Sequence, residues 1–561
     1  MGWHLFFSQI ASTQVRRLGG GSRREREGPA TLRPFFAAAL LALLAPLTAC
    51  GGDPPQIVDY SPQRNTLDVS TAAPIRITFD HDVDQVSVET RLRLAPQTEG
   101  LIRWINGRQL VYEHPTLRTA TTYEVILEPG YRDPAGNVYA LRHHWSFTTE
   151  GPPTLFGSSP ANGDGSVDPS AYLSLDFSRP MDPSTLKSAI AFTPNVRFDV
   201  RLAPDDTRRA IIAPSQLMAA NSEYQLLLNT AALDLDGNPL DRNQLLRFKT
   251  GAPRPLSHWI AFATDHTDGT PAGLWMVNER GFPRELFDAS AVQSFSWSPR
   301  GDSLLIGAPD EAWWEFTPGA AAARLPFHAA WAASLATGLG YVYIDDAGAL
   351  RRLDANGESV TVASGVQEAA VAPNGLRVAF IYRAGDTNEV WGYDVGLRTR
   401  YLLATDSAPL SNVAWAPAGN RIAYLRHDLT TVSLRMRGLT GAAATTTLTT
   451  GTDIGSPMWL PDSTHLLFSA AVTTPSVVVH KAFVVNVVSP PAVLGLASGL
   501  PSDPAIEVTS PVSSPDGHQI AFVSGNQIWL MNADGTRPTA LTRSDPTVFP
   551  YSCRAVAWTR T

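Results

Sequence analysis

Cysteine is nearly absent from these 561 residues: Cys50 and Cys553 stand alone. No CxxC pair exists, which excludes the thiol redox and thiolate-metal sites built on that spacing. Charged residues make up only 17% of the chain. Also missing are His-Glu-x-x-His, a Gly-x-Ser-x-Gly elbow and a phosphate-cradling Gly-x-x-x-x-Gly-Lys. Their absence removes the motif-legible forms of zinc-protease, serine-hydrolase and P-loop chemistry. The 12 histidines are scattered, and the adjacent pair His143-His144 points to opposite strand faces, a poor arrangement for sharing a metal. The apolar run from Phe35 to Leu47 is shorter than the ~20 residues that span a bilayer.

What the chain has in quantity is turn formers, 44 prolines and 42 glycines, with 44% hydrophobic residues to fill cores. That balance fits turn-rich β structure. The formal charge is −8; residues 1–49 hold six arginines and two glutamates, which leaves 38 basic and 50 acidic groups and a net −12 beyond them. Such a surface repels nucleic acid and anionic headgroups, so neither is expected as a direct ligand.

Basic residues from Arg16 to Arg33 precede the short apolar run, the order of an export signal. The run ends in Leu47-Thr48-Ala49-Cys50-Gly51-Gly52, which resembles the lipobox of bacterial lipoproteins. The resemblance implies cleavage before Cys50 and lipid attachment to its thiol. Residues 1–49 are then a signal peptide, 50–54 a lipidated tether, and a membrane the first partner. Each buried CH₂ of an acyl chain contributes about 0.8 kcal/mol, so a multiply acylated terminus holds firmly. With Cys50 acylated, Cys553 has no disulfide partner; it is expected to be a small buried residue of the last strand.

Residues 55–150 and 152–252 repeat one another. Tyr123, Gly136, Asn137, Phe147 and Thr149 recur 101 positions later as Tyr224, Gly237, Asn238, Phe248 and Thr250. Alternating stretches such as Thr122–Leu127 and Glu223–Leu228 read as half-buried strands. Asp133–Asn137 and Asp234–Asn238 read as turns. About 100 residues with six or seven strands is the size of an immunoglobulin-type sandwich. The series Ser-Pro, then Phe177-Ser178-Arg179-Pro180-Met181-Asp182, then Tyr-x-Leu, Asp-x-x-Gly-Asn and Phe-x-Thr resembles the bacterial Ig-like domain of surface-layer proteins (SbsA type). The first copy departs at His81, Asp82 and Val83. The family implies a stalk with no catalytic residues. Asn162-Gly163-Asp164-Gly165-Ser166-Val167-Asp168 alternates oxygen side chains like the start of a Ca²⁺ loop, but Leu173 occupies the position of the bidentate acid. A polar hairpin loop is the expected reading there, and equally at Asp234 and Asp236.

A second repeat fills 256–561. Trp297-Ser298-Pro299-Arg300-Gly301, Val371-Ala372-Pro373-Asn374-Gly375, Trp415-Ala416-Pro417-Ala418-Gly419, Trp459-Leu460-Pro461-Asp462-Ser463 and Ser514-Pro515-Asp516-Gly517 each follow one apolar strand and precede another. Their prolines lie 74, 44, 44 and 54 residues apart. A period of roughly 40 with several short strands is that of a β-propeller blade. Units begin near Phe295, Trp331, Ala370, Val413, Met458 and Val512, the one at Trp331 having lost its proline. The first unit has only later strands, His258–Ala263 and Gly273–Asn278; its missing first strand is Arg554–Thr559. Joining them closes a ring of seven blades, with six as the alternative. The series Ser-Pro-Asp-Gly, Ile-Ala-Phe, Ile-Trp-Leu-Met-Asn-Ala-Asp-Gly resembles the WD-like repeat of TolB-type propellers. Of Trp275, Trp297, Trp391, Trp415, Trp529 and Trp558, most are expected between blades and one or two on the channel or a binding face. Trp313-Trp314 beside Asp310 and Glu311 could hold a carbohydrate or cationic ligand if exposed; a packed blade loop is the expected reading.

The sequence therefore predicts an all-β, exported, lipid-anchored envelope protein without cofactor, metal or catalytic set. Two Ig-like modules would present a propeller to a protein or envelope polymer. The competing readings are a propeller lyase or glycan hydrolase with acids drawn from several blades, and a structural surface-layer component.

Overall fold

Fourteen strands between Ile57 and Lys249 build the two sandwiches, seven in each. The computed structural model describes residues 52–559 except 267, 270, 288–291, 440–443, 474–477, 489–498 and 544–548; the export segment and Cys50 lie outside the described residues. In the first sandwich a four-stranded sheet (Ile57–Ser61, Ile75–Phe79, Gln109–Glu113, Leu101–Asn106) faces a three-stranded one (Leu92–Ala95, Thr122–Leu127, His143–Thr148). The second repeats this order with Leu155–Ser159, Leu173–Phe177, Arg209–Pro214 and Phe198–Leu202 against Ile190–Thr193, Glu223–Leu228 and Gln244–Lys249.

The residues shared by the two copies each hold a corner of this frame. Tyr123 and Tyr224 are buried, stack on Phe147 and Phe248, and accept the backbone N–H of Arg118 (3.1 Å) and Ala219 (2.9 Å). Thr149 and Thr250 donate to the carbonyls of the same two residues at 2.6 Å. Asp133 and Asp234 accept the N–H of Asn137 and Asn238 at 2.8 Å across turns whose glycines take φ of 92° and 86°. The acid after the Phe-x-x-x-x run caps a short helix: Asp84 accepts from Ser87, Asp182 from Ser184. His81, Asp82 and Val83 can replace Arg179, Pro180 and Met181 in the first copy because the capping acid is retained.

The remaining strands form seven antiparallel sheets, six of four strands and one, Met458–Trp459 with His465–Thr473 and Val478–Asn486, of three among the described residues. Numbered from the chain start they are blades 1 to 7, blade 6 being the three-stranded one. The unit at Trp331, without its proline, is a complete blade 3 (Trp331–Ser334, Tyr341–Ile344, Leu350–Leu353, Ser359–Ala363), so the count is seven. Blade 1 is assembled from both ends of the region. Ser552–Trp558 is its inner strand and pairs Ile260–Asp265, with Phe262 opposite Val556 and Ile260 opposite Trp558. A separate apolar cluster fills each of the seven blade junctions, including that between blades 7 and 1, where Phe262, Val523, Ile528 and Cys553 meet. The closure covers the edge that Ile260–Asp265 would otherwise expose, leaving each blade only short, protected edges.

Both joints along the chain are packed. Between the sandwiches, buried Glu150 accepts from Asn238 Nδ2 (3.0 Å) and pairs with Arg179, while Thr71 Oγ1 donates to Asn238 Oδ1 (2.8 Å) and Ser70 Oγ to Asp236 (2.9 Å). Burial and the neighbouring Asp236 push the Glu150 carboxyl above its ordinary range. Between the second sandwich and blade 1, the fully buried Arg284 donates to the Ser170 and Ala171 carbonyls (2.7 and 3.1 Å). Its guanidinium lies 4.1 Å from the Tyr172 ring centroid and 5.3 Å from that of Trp259. Burial lowers its pKa to about 10 and raises that of Tyr172 to about 12. Glu285 extends the seam, accepting from Gln216 (2.8 Å) and Arg197 (3.2 Å).

Candidate functional site: the central channel

The repeated turn explains where the motif prolines stand. In the five copies the N–H of Gly301, Gly375, Gly419, Ser463 and Gly517 returns to the carbonyl three residues earlier at 2.7–3.0 Å. These residues hold φ between 58° and 77°, so Ser463 accepts a conformation that the other copies give to glycine. Proline at the second position presets the turn and needs no hydrogen-bond partner. Pro299, Pro373, Pro417, Pro461 and Pro515 thereby form a collar at one mouth of a channel of about 560 Å³. Blade 3 has Ala336 at the equivalent place.

Behind the collar the wall is small or apolar: Ser296, Ala370, Ala414, Met458, Val512 and Ala557. Trp297, Trp415, Trp459 and Trp558 also border the channel, although each is only 4–8% exposed. Trp297 Nε1 donates to the Ala557 carbonyl of blade 1 (3.4 Å) and Trp459 Nε1 to the Ala414 carbonyl of blade 5 (3.1 Å). Each of these indoles ties its blade to the preceding one. The indole N–H groups of Trp415 and Trp558 are buried without a partner, as is Ser296 Oγ. Three of the six tryptophans considered border the channel where one or two were expected, and Trp459 joins them, because the inner-strand position two before the proline is both a junction and a wall. Trp275 is buried in the closing junction, and Trp391 and Trp529 are partly buried in theirs. No ionisable side chain stands among the described lining residues.

Five residues before the prolines, the inner strands carry Ser294, Glu368, Asn412, Ser456 and Ser510. Glu368 accepts the N–H of Asn412 (2.8 Å) and of Val413 (3.0 Å), and Asn412 Nδ2 donates to Ser456 Oγ (2.6 Å), linking blades 4, 5 and 6. Burial raises the Glu368 pKa, opposed by those two N–H groups. Asn412 and Ser510 sit at φ of 54° and 50° where the strands bulge. Ser411 Oγ lies 2.7 Å from His427 Nε2, a nucleophile–base distance, yet among the described residues no group orients the other imidazole nitrogen. Sequence reading missed these residues because the position carries no fixed side chain: serine in three of the five copies, glutamate and asparagine in the other two.

The other candidates are engaged elsewhere. Asn162 accepts from the Arg247 N–H, Asp164 from Ala161 and Asp168 from Ser170, so the Ca²⁺-like loop holds its own backbone. Asp234 and Asp236 serve their turn and the sandwich joint. Trp313 is 2% exposed and donates to the Ala329 carbonyl (2.7 Å), and Trp314 packs on Phe287; the pair is packed, but on the strand Ala312–Phe316 and not on a loop as expected. His143 is half-buried against Tyr60 and Trp145, with its pKa lowered by burial, while His144 faces Glu124 at 2.7 Å. Cys553 is buried beside Thr542, its thiol pushed up to about 12. No group of three or more metal-ligating side chains occurs among the described residues, and no described helix is long and apolar enough to cross a membrane.

The family model described as "Bacterial Ig-like domain" matches residues 52–149 and again 150–250. No curated protein matches the chain in sequence. Among solved structures, TolB from Acinetobacter baumannii is similar at 14% identity and a TM-score of 0.34, covering 66% of this chain and 83% of that one. A putative TolB from Agrobacterium tumefaciens has 14% identity, a TM-score of 0.32, and coverage of 51% and 89%. An oligogalacturonate lyase from Vibrio parahaemolyticus has 9% identity, a TM-score of 0.37, and coverage of 52% and 87%.

Proposed function

We propose that the chain is an exported lipoprotein, anchored through Cys50, that works as a non-enzymatic docking module in the bacterial envelope. The propeller engages a protein or an envelope polymer, and the two sandwiches carry it away from the membrane. One observation supports the reading above others: the channel offers a collar of five prolines fixed by hydrogen-bonded turns, with no ionisable side chain among its described lining residues. Such a surface suits recognition through shape and apolar contact. A glycan hydrolase would need paired acids around a reacting bond; Glu368 has both oxygens occupied by backbone N–H groups. The export segment and Leu47-Thr48-Ala49-Cys50 support the anchor.

Membrane fractionation and affinity capture from the intact envelope, comparing the wild type with Cys50→Ala, test the two parts separately. The wild type is expected in the membrane fraction and Cys50→Ala in the soluble one. Recovery of the wild type as a soluble protein overturns the anchor. Turnover of envelope glycans by the purified chain overturns the non-enzymatic assignment.

A further inference from the structure

A second cavity lies between blades 3 and 4, with a volume of about 270 Å³. Arg352, on the third strand of blade 3, lines it together with Arg398 and Arg400, at the start of the outer strand of blade 4. Arg352 is 8% exposed; its Nη1 donates to the Val395 carbonyl (3.0 Å), and its Nε is buried without a partner. Among the described residues none of the three arginines has a carboxylate within ion-pair distance. Arg284, the other buried guanidinium described above, also leaves its Nε without a partner, but has two carbonyls and two aromatic rings around it. Arg352 has one carbonyl and an open cavity.

A buried cation costs several kcal/mol in lost hydration unless a counter-charge or further acceptors reach it. Guanidinium groups lining one space can bind carboxylate and phosphate oxygens with paired hydrogen bonds; the Arg400 group also lies over the Trp391 ring, 5.9 Å from its centroid. The two acids in the lining leave that role open: Asp354 Oδ1 accepts the N–H groups of Asn356 and Glu358, and the Glu358 side chain is exposed. We propose that this cleft is a binding site for a small oxyanion, a carboxylate or phosphate borne on a single sugar-sized group. Its volume falls just below the ~300 Å³ at which drug-sized ligand pockets begin, which fits one such group and not a run of chain. The proposal does not depend on lipid anchoring or on the channel's role.

Calorimetric titration of the purified full-length chain with inorganic phosphate and with glucuronate, at constant ionic strength set by chloride, tests it. The wild type is expected to bind at least one probe below ~10 mM. The double variant Arg398→Gln/Arg400→Gln, both at exposed positions, is expected to weaken that binding at least ~tenfold with an unchanged melting temperature. Arg300→Gln, at the groove between blades 2 and 3, is expected to leave it unchanged. Binding of glucuronate alone assigns a carboxylate ligand, and of phosphate alone a phosphate ester. Failure of both probes, or equal binding by the double variant, overturns the proposal.

Discussion

Glu368 shows how one side chain can tie two blades together and carry a pH signature. Its pKa is raised by burial, so the folded state holds its proton to higher pH than the unfolded chain does. The stability it contributes is therefore complete below the ordinary carboxylate range and is lost as pH rises through the folded value. Glu368→Gln should flatten the dependence of melting temperature on pH between the ordinary glutamate pKa and neutrality; an unchanged slope would show that Glu368 titrates normally. Nothing in the sequence marked this residue, since its equivalents are serine, asparagine, tryptophan in blade 3 and, in the closing strand, alanine. Arg284, Arg352 and Tyr172 were equally silent, because their partners lie on other elements far along the chain. The legible residues were those answering to local geometry, such as the motif prolines and Cys553 in its apolar strand.

Among the elements, the turn after each inner strand is the most demanding. Gly375 has φ 70°, and a Cβ there would stand 2.3 Å from the Ala336 backbone nitrogen of blade 3, whose N–H donates to the Gly375 carbonyl at 3.0 Å. Gly357 has a similar φ of 83° but open space around it. Gly357→Ala should cost ~1 kcal/mol for the left-handed backbone alone, and Gly375→Ala ~1–3 kcal/mol more for the forced separation of blades 3 and 4. Equal melting temperatures for the two variants would refute the contact. This pairing also explains how blade 3 dispenses with proline: the neighbouring turn holds Ala336 in place. Strand patterns and turn residues made the blade count readable, and Arg554–Thr559 could be matched to blade 1 because it repeats an inner-strand pattern. The sixth blade's three described strands were not foreseen.

For the whole molecule, the joints matter more than the modules. Arg284, Tyr172 and Glu285 bind the second sandwich to blade 1 through contacts centred on the buried Arg284, so the two should unfold as one cooperative unit. Arg284→Ala strands two partly buried carbonyls and removes packing against Tyr172 and Trp259, a loss of ~2–3 kcal/mol. Scanning calorimetry of the variant should resolve two transitions in place of a shared one; a single transition at the wild-type position would mean that the seam carries no coupling. The ring itself has a further property rooted in its first blade. Because Ile260–Asp265 waits for Ser552–Trp558, a ribosome must deliver almost 300 more residues before that sheet can be completed. Nascent chains thus remain open, with a bare strand edge, throughout synthesis of the propeller. A product truncated before Ser552 would be left in that state, exposed to proteases and chaperones, so the closing strand acts as a check that synthesis has reached the end of the propeller.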